Sequence, residues 1–240
     1  QYKARDSIQK DIMKPELFKK VMDDLDEFPE KIQLLRVCGT GEPVMNKDII
    51  DMLKYAKKKD VINRIELISN GIMWDDEKIK NIPKYADRII ISIEGLSSQD
   101  YLKMCNTKID FDKLVDNIRN LYKNKHDCII HIKIHHKSVS TEERKKRFFD
   151  LFGDHSDEIY IENLISLWPE FEAAHAVKKS RYEGKKVVRR QICSQMFKGM
   201  QVNANGDVIP CCADWKAINV LGDANKSSIK EIWNGERLRK

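Results

Sequence analysis

Short apolar runs alternate along the chain with longer stretches in which apolar residues return every three or four positions. Leu17, Phe18, Val21, Met22 and Leu25 follow Pro15 at helical spacing, and a proline suits a first helical turn. Leu34 to Cys38 then reads as a strand, and Ile49, Ile50, Leu53 and Ala56 as a second amphipathic helix. Strands are predicted at Ile65–Ser69 and Ile89–Ile93. Phe111, Leu114, Val115, Ile118 and Leu121 line a helix for which Asp110 is the expected cap. Ile129–Ile134 is a fourth strand. Ser140 with Glu143 forms a capping-box pattern before a helix carrying Phe148, Phe149 and Phe152, and Ile159–Glu162 is a fifth strand.

The predicted strands start about 31 residues apart, the size of a strand-plus-helix unit. That rhythm predicts an α/β fold with a parallel sheet, either doubly wound or curled into a barrel. One strand face is repeatedly polar: Arg36, Glu66, Ser92 with Glu94, His131 with Lys133 and His135, then Tyr160 and Glu162. A sheet covered by helices on both sides is apolar on both faces, whereas a partial barrel with a wet lumen accommodates such residues. A lumen ion pair between Arg36 and Glu66 is a second use for two of them. The helix at 15–26 lacks a strand before it, so a six-strand array is expected whose first strand and following loop lie ahead of Gln1.

After Pro169 the periodicity stops. Met200–Asn203 and Asp207–Ile209 flank Ala204-Asn205-Gly206, a hairpin signal, and a short helix follows from Ser227 to Asn234. The expected organisation is a barrel over 1–168, a linker over 169–192 and a small module over 193–240.

Lys+Arg 44 against Asp+Glu 38 gives a net charge of +6, with the signs mostly interspersed. The basic clusters (Lys57–Lys59, Arg144–Arg147, and Lys185-Lys186 with Arg189-Arg190) read as solvated faces, and no aromatic signature or zinc-finger spacing argues for nucleic acid. No apolar run approaches the roughly 18–20 residues of a membrane span. No secretory leader is visible, and a cytoplasmic location is expected, although the chain begins at Gln1 rather than Met. Six cysteines in a Lys-rich chain of this length do not suggest a disulfide framework. Cys38, Cys105 and Cys128 read as small hydrophobes. Cys193, Cys211 and Cys212 sit among Gly, Asn, Pro and Asp, where ligand loops are found.

Gly39-Thr40-Gly41-Glu42-Pro43, Ser69-Asn70-Gly71 and Ser92-Ile93-Glu94-Gly95 close successive strands. The carboxyl ends of parallel strands are where α/β barrels place their chemistry, so the three turns define one candidate rim. In the module, Cys193, twelve residues, Gly206, four residues and Cys211 set two thiols around the hairpin. Zinc modules use cysteines two to four apart, and adjacent Cys211-Cys212 is poor geometry for one ion, so iron–sulfur ligation fits better, although fewer than four ligands are visible.

On these residues the sequence resembles the radical S-adenosylmethionine enzymes that carry an auxiliary module of the SPASM or twitch type. Gly41-Glu42-Pro43 and Ser92-Ile93-Glu94-Gly95 match the family's strand-end motifs. Cys193, Gly206 and Cys211 match Cys-x(9–15)-Gly-x4-Cys, and Val220–Asp223 with Ile232-Trp233-Asn234 match the module's tail. The resemblance implies a partial (βα)6 barrel, a catalytic 4Fe–4S cluster whose electron cleaves S-adenosylmethionine to a 5′-deoxyadenosyl radical, and an auxiliary 4Fe–4S cluster. It implies that Gly41, Glu42 and Pro43 hold the methionine amino group and that Ser69, Asn70, Ser92 and Glu94 contact ribose or carboxylate. Lys133 or His135 would reach cofactor or substrate, and Cys193 and Cys211, with Cys212 as a further candidate, would bind the auxiliary cluster. The family's CxxxCxxC loop and downstream cluster cysteines do not occur in these residues, and truncation at both ends is the expected reason. Expected partners are a small-molecule substrate or a peptide, and a reductant such as flavodoxin or ferredoxin, with no membrane.

The expected reaction is oxidation of a small polyhydroxylated molecule such as an amino sugar. Asp214 is a candidate substrate contact or base, or equally a turn residue. The alternatives are radical modification of a ribosomally made peptide, and a degenerate barrel serving as a scaffold or nucleic-acid-binding module.

Overall fold

In a computed structural model of the chain, residues 11–39, 41–164 and 193–239 are described. The elements run α1 (Pro15–Asp24), β1 (Leu35–Val37), α2 (Ile49–Lys59), β2 (Ile65–Ser69), α3 (Asp76–Asn81), β3 (Arg88–Ile93), α4 (Ser98–Cys105), α5 (Phe111–Lys123), β4 (Ile129–His135), α6 (Glu142–Phe152) and β5 (Glu158–Glu162). A second set follows: β6 (Gln201–Val202), β7 (Asp207–Ile209), β8 (Gly222–Asp223), α7 (Ile229–Trp233) and α8 (Glu236–Arg239). The linker expected at 169–192, with its basic cluster, lies outside the described residues.

Strands β1 to β5 form a parallel sheet in sequence order. Each strand therefore adds beside its predecessor and each helix crosses back over the same side, which is how a sheet begins to curl into a barrel. Alternation divides each strand between two environments. Ile89, Ile91 and Ile93 of β3 and Ile130, Ile132 and Ile134 of β4 are buried in the core with Leu114, Val115, Ile118 and Leu121 of α5. The intervening residues, Arg88 and Ser92 on β3 and His131, Lys133 and His135 on β4, share the opposite, lumen face. The lumen pair between Arg36 and Glu66 forms, with the guanidinium Nη2 2.8 Å from a carboxylate that is 2 % exposed.

Asp110 caps α5 by accepting from the Lys113 amide. The cap of α6 falls one residue beyond the sequence expectation: Thr141, not Ser140, accepts from the Arg144 amide at 3.3 Å. Two adjacent hydroxyl residues offer the same local signal, and the chain's entry from the Ser138–Val139 turn selects the second. Thr141→Ala should therefore cost about 1 kcal/mol in chemical unfolding, while Ser140→Ala should stay within about 0.5 kcal/mol of the parent.

The two basic clusters among the described residues are largely neutralised. Lys57 pairs with Asp87, Lys59 with Asp23 and Asp26, Arg144 with Asp100, Lys145 with Glu142 and Lys146 with Asp150. Among the described residues no helix is long and apolar enough to cross a membrane.

The second set is an antiparallel three-stranded sheet with α7 beside it. β8 was not foreseen, because two residues carry no periodicity. Val208, Ala224, Ile229 and Ile232 join the same apolar cluster as the barrel. The contact is fastened by polar groups on α1 and the turn after it: the Ile229 amide donates to Asp24 at 3.1 Å, Lys20 to the Ser227 carbonyl at 3.1 Å and Lys230 to the Glu27 carbonyl at 2.6 Å.

Candidate active site

The parallel register brings the predicted turns to one rim. Glu42 joins two of them: its carboxylate accepts from the Val44 amide at 3.3 Å and from the Asn70 amide at 2.7 Å. One side chain thus ties the turn after β1 to the end of β2. Burial pushes the Glu42 carboxyl up, and its bonds from Asn70, Ser69 and Val44 pull the other way. Gly41 and Pro43 flank it, with Pro43 opening a single turn of 3-10 helix.

Ser69 departs from the rest. It lies on the helix-facing side of β2, and its buried hydroxyl accepts from the Gly71 amide at 3.1 Å and from the Trp74 indole at 2.8 Å. Beside its bond to the Glu42 carboxylate, it works inside the turn. That turn also needs Gly71, whose φ is +78° and whose missing Cβ leaves room for Leu114 and Ile91. Asn70 stabilises the same turn by accepting from the Ile72 amide at 2.9 Å.

Ser92 lies in register with Lys133, whose ammonium donates to Glu162 at 2.9 Å. One residue beyond β3, Glu94 is half-buried, and desolvation raises its carboxyl despite Lys133 nearby. His135 Nε2 is 3.6 Å from Glu94 and 3.1 Å from Ser138 Oγ, and the Ser138 hydroxyl donates to the Glu94 carbonyl. The other ring nitrogen of His135, Nδ1, is buried without a partner. Sequence reasoning passed over Ser138, a turn serine with no motif around it. It also passed over Arg88 and Glu158, which only the strand register brings to His131.

Burial holds His131 and His135 below the ordinary histidine pKa of 6.5, with Glu158 partly offsetting the effect at His131. Below pH about 6.5 the unfolded chain then binds more protons than the folded one, so this stability is present above that pH and lost as pH falls. Glu42 and Glu94, with raised values, act in the opposite sense as pH rises past their ordinary 4.5. Comparison of His131→Phe with the parent isolates the histidine: urea midpoints between about pH 5 and 7 should rise less steeply with pH in the variant.

In the second module Cys193 is exposed, Cys211 half-buried and Cys212 exposed. Among the described residues no group of three His, Cys, Asp or Glu side chains is placed to hold a metal ion. Desolvation raises the Cys38 thiol against the pull of Arg36, and Cys212 pushes the same way. Asp214 is a turn organiser: its two carboxylate oxygens accept from the Ile218 amide at 3.0 Å and the Asn219 amide at 2.7 Å.

Comparison with known proteins gives this arrangement its lineage. The family model of the Radical SAM superfamily matches residues 2–146, and that of the SPASM iron–sulfur cluster-binding domain matches residues 193–240. The chain belongs to the radical SAM superfamily. The Pyrococcus furiosus tungsten-containing aldehyde ferredoxin oxidoreductase cofactor-modifying protein is 23% identical over 92% of this chain and 72% of its own. Among solved structures, BtrN in complex with AdoMet and 2-DOIA is 15% identical with a TM-score of 0.57, covering 95% of this chain and 72% of BtrN. Streptococcus suis SuiB is 13% identical with a TM-score of 0.67, covering 96% of this chain and 61% of SuiB. Native anSMEcpe with bound AdoMet is 15% identical with a TM-score of 0.67, covering 95% and 73%. The fold is that of the radical SAM partial barrel, with a small antiparallel sheet near the carboxyl end of the chain.

Membership brings S-adenosylmethionine and a 4Fe–4S cluster as cofactors, and the SPASM domain an auxiliary iron–sulfur cluster. The residues present fit the first of these. A carboxylate has about four lone-pair sites, so Glu42 can take an ammonium beside its two amides. His135, whose Nε2 lies 3.6 Å from Glu94, adds an orphaned polar atom in its other ring nitrogen, Nδ1. The iron–sulfur clusters are different. The chain contains no CxxxCxxC loop, and the described residues assemble no thiolate set for either cluster.

Proposed function

We propose that this radical SAM chain binds S-adenosylmethionine across the rim of β1 to β4 and acts on a small polyhydroxylated substrate, such as an amino sugar, in the lumen below. S-adenosylmethionine bound there supplies, on reductive cleavage, a 5′-deoxyadenosyl radical that can take a hydrogen atom from carbon. Glu42 receives the methionine ammonium while bracing the Val44 and Asn70 amides, with Gly41 and Pro43 shaping its turn. Ser92 and Glu94 meet the ribose or carboxylate, and Asn70 and Ser69 keep the intervening turn in shape. Lys133 and His135 stand between rim and lumen, where each can hold a polar group of cofactor or substrate. The observation that carries the substrate class is the lumen wall, whose charges are compensated by pairs such as Arg36–Glu66 and Lys133–Glu162. A neutral, hydrogen-bonding molecule suits such a wall better than a strongly charged one.

The reading divides the chain into a barrel over 1–168, a linker over 169–192 and a cluster-binding module over 193–240, with Cys193, Cys211 and Cys212 as its candidate ligands. A flavodoxin or ferredoxin in the cytoplasm would serve as reductant. A second reading, modification of a peptide, is favoured by the peptide bound in one anSMEcpe structure, which matches with a TM-score of 0.65. The test is anaerobic reconstitution of the full-length protein with iron and sulfide, followed by dithionite and S-adenosylmethionine. Formation of 5′-deoxyadenosine is expected; full iron loading without it would overturn the proposal.

A further inference from the structure

Beneath the rim, at the amino-terminal level of the strands, three lumen side chains meet that the proposed cofactor site does not use. Arg88 opens β3, His131 lies third in β4, and Glu158 opens β5 directly opposite His131. His131 Nδ1 is 2.6 Å from Arg88 Nη2 and 2.9 Å from Glu158 Oε2, and Arg88 also contacts Glu158. The Tyr160 ring stacks on the imidazole with centroids 5.0 Å apart.

Two polar atoms of this cluster are left over. His131 is 5 % exposed and its Nε2 is buried without a partner; Arg88 Nε is likewise buried without a partner. An orphaned buried polar atom costs about 1–3 kcal/mol, and native structures keep few of them. Two on neighbouring residues of one lumen face mark a place where a partner belongs.

The chemistry of that partner follows from the atoms. Arg88 Nε–H can only donate, while His131 Nε2 donates in one tautomer and accepts in the other. A hydroxyl can serve either atom, since its oxygen accepts from Arg88 Nε–H and toward His131 Nε2 it can accept or donate. An ammonium can only donate and leaves Arg88 unserved, while a carboxylate serves both atoms only when Nε2 carries the proton. Charge disfavours the carboxylate: Arg88 and Glu158 cancel and burial disfavours a charged imidazole, so the cluster offers no net charge to an ion. We propose that Arg88, His131 and Glu158 form a substrate subsite on the lumen floor that takes a hydroxyl group. Glu158 is a positioning residue that holds the other two. This rests on the reading of the lumen as the substrate site and names residues that choose the substrate.

The test uses full-length protein, prepared anaerobically and labelled with 15N-histidine. Nε2 of His131 is followed by NMR during titration with myo-inositol or with succinate, and affinities are measured by calorimetry. Inositol should shift the His131 signal. His131→Phe and Arg88→Lys should weaken inositol binding roughly tenfold or more, the loss of about one hydrogen bond to a buried group. His131→Gln, whose amide reaches the position of Nε2, should stay within about threefold of the parent. Arg88→Lys keeps the cation beside Glu158 and so tests the subsite even if His131→Phe does not fold. Equal inositol affinity in parent, His131→Phe and Arg88→Lys would overturn the subsite, as would a His131 signal that responds to succinate and not to inositol. Failure of the parent to yield 5′-deoxyadenosine would instead count against the enzymatic reading, and that assay is scored separately from inositol binding.

Discussion

Glu42→Ala should remove measurable S-adenosylmethionine binding and lower the unfolding free energy by about 2–4 kcal/mol. The size follows from the number of groups that lose a partner. The Val44 and Asn70 amides both donate to this carboxylate, and Val44 is a buried residue. Each stranded amide costs about 1–3 kcal/mol. The turn after β1 and the end of β2 would then no longer be tied, and every rim contact proposed for the cofactor depends on their spacing. Glu42→Gln separates the two roles. It keeps a carbonyl oxygen for the Asn70 amide but loses the charge that an ammonium would meet. Because the two amides bond to different oxygens, its amide nitrogen strands the Val44 amide, so the melting temperature should fall, though less than in Glu42→Ala, while affinity falls about tenfold or more, as expected when a charged hydrogen bond becomes a neutral one. Equilibrium dialysis with labelled S-adenosylmethionine, beside thermal melts, reads both effects. Parent-like affinity in Glu42→Gln would remove Glu42 from the cofactor site and leave it a structural brace.

Gly206→Ala should unfold the second module at temperatures where the parent is intact, with a cost of about 2–4 kcal/mol. Gly206 adopts φ +99°, and a Cβ built on it would lie 1.9 Å from Asn225 Nδ2. Backbone strain and overlap therefore act together. Asn225 cannot move aside cheaply, because its amide nitrogen donates to the Asn205 carbonyl and to Asp223, both at 2.9 Å. The hairpin that Gly206 turns leads directly into Cys211, so alkylation of this half-buried thiol should speed up as the module loses stability. Circular dichroism melts and the rate of Cys211 alkylation measure the two. Gly153→Ala, at a glycine with open space around it, is the matched control and should change neither.

The strands were legible because their core-facing positions carry dense β-branched residues, as at Arg88–Ile93, and the lumen because alternate positions there are polar. Gly206 and Asp110 announced a hairpin and a cap through chemistry that acts within a few residues. Helices α3 and α4 went unseen: α3 buries only Ile79 and α4 only Tyr101, too little to set a period. Ser69 was assigned to the rim from its motif, yet the phase of β2, visible once Glu66 and Ile68 are known to face the lumen, turns it toward the helices. The Arg88, His131 and Glu158 cluster spans 70 residues of chain from first to last, and nothing local links its members before the register is known. Asp214 could be read either as chemistry or as a turn, and it does organise a turn through the amides of Ile218 and Asn219, with acceptor sites left over on both oxygens.

The bond from the Ile229 amide to Asp24 joins positions 205 residues apart. During translation, α1 leaves the ribosome long before α7 exists. The apolar and polar surface that α7 will cover must wait through the synthesis of the whole sheet, and closing so long a loop is slow compared with pairing neighbouring strands. Docking of the carboxyl-terminal module is thus a late event in biogenesis. The cysteine loop it carries takes its final place only after the barrel itself has taken shape.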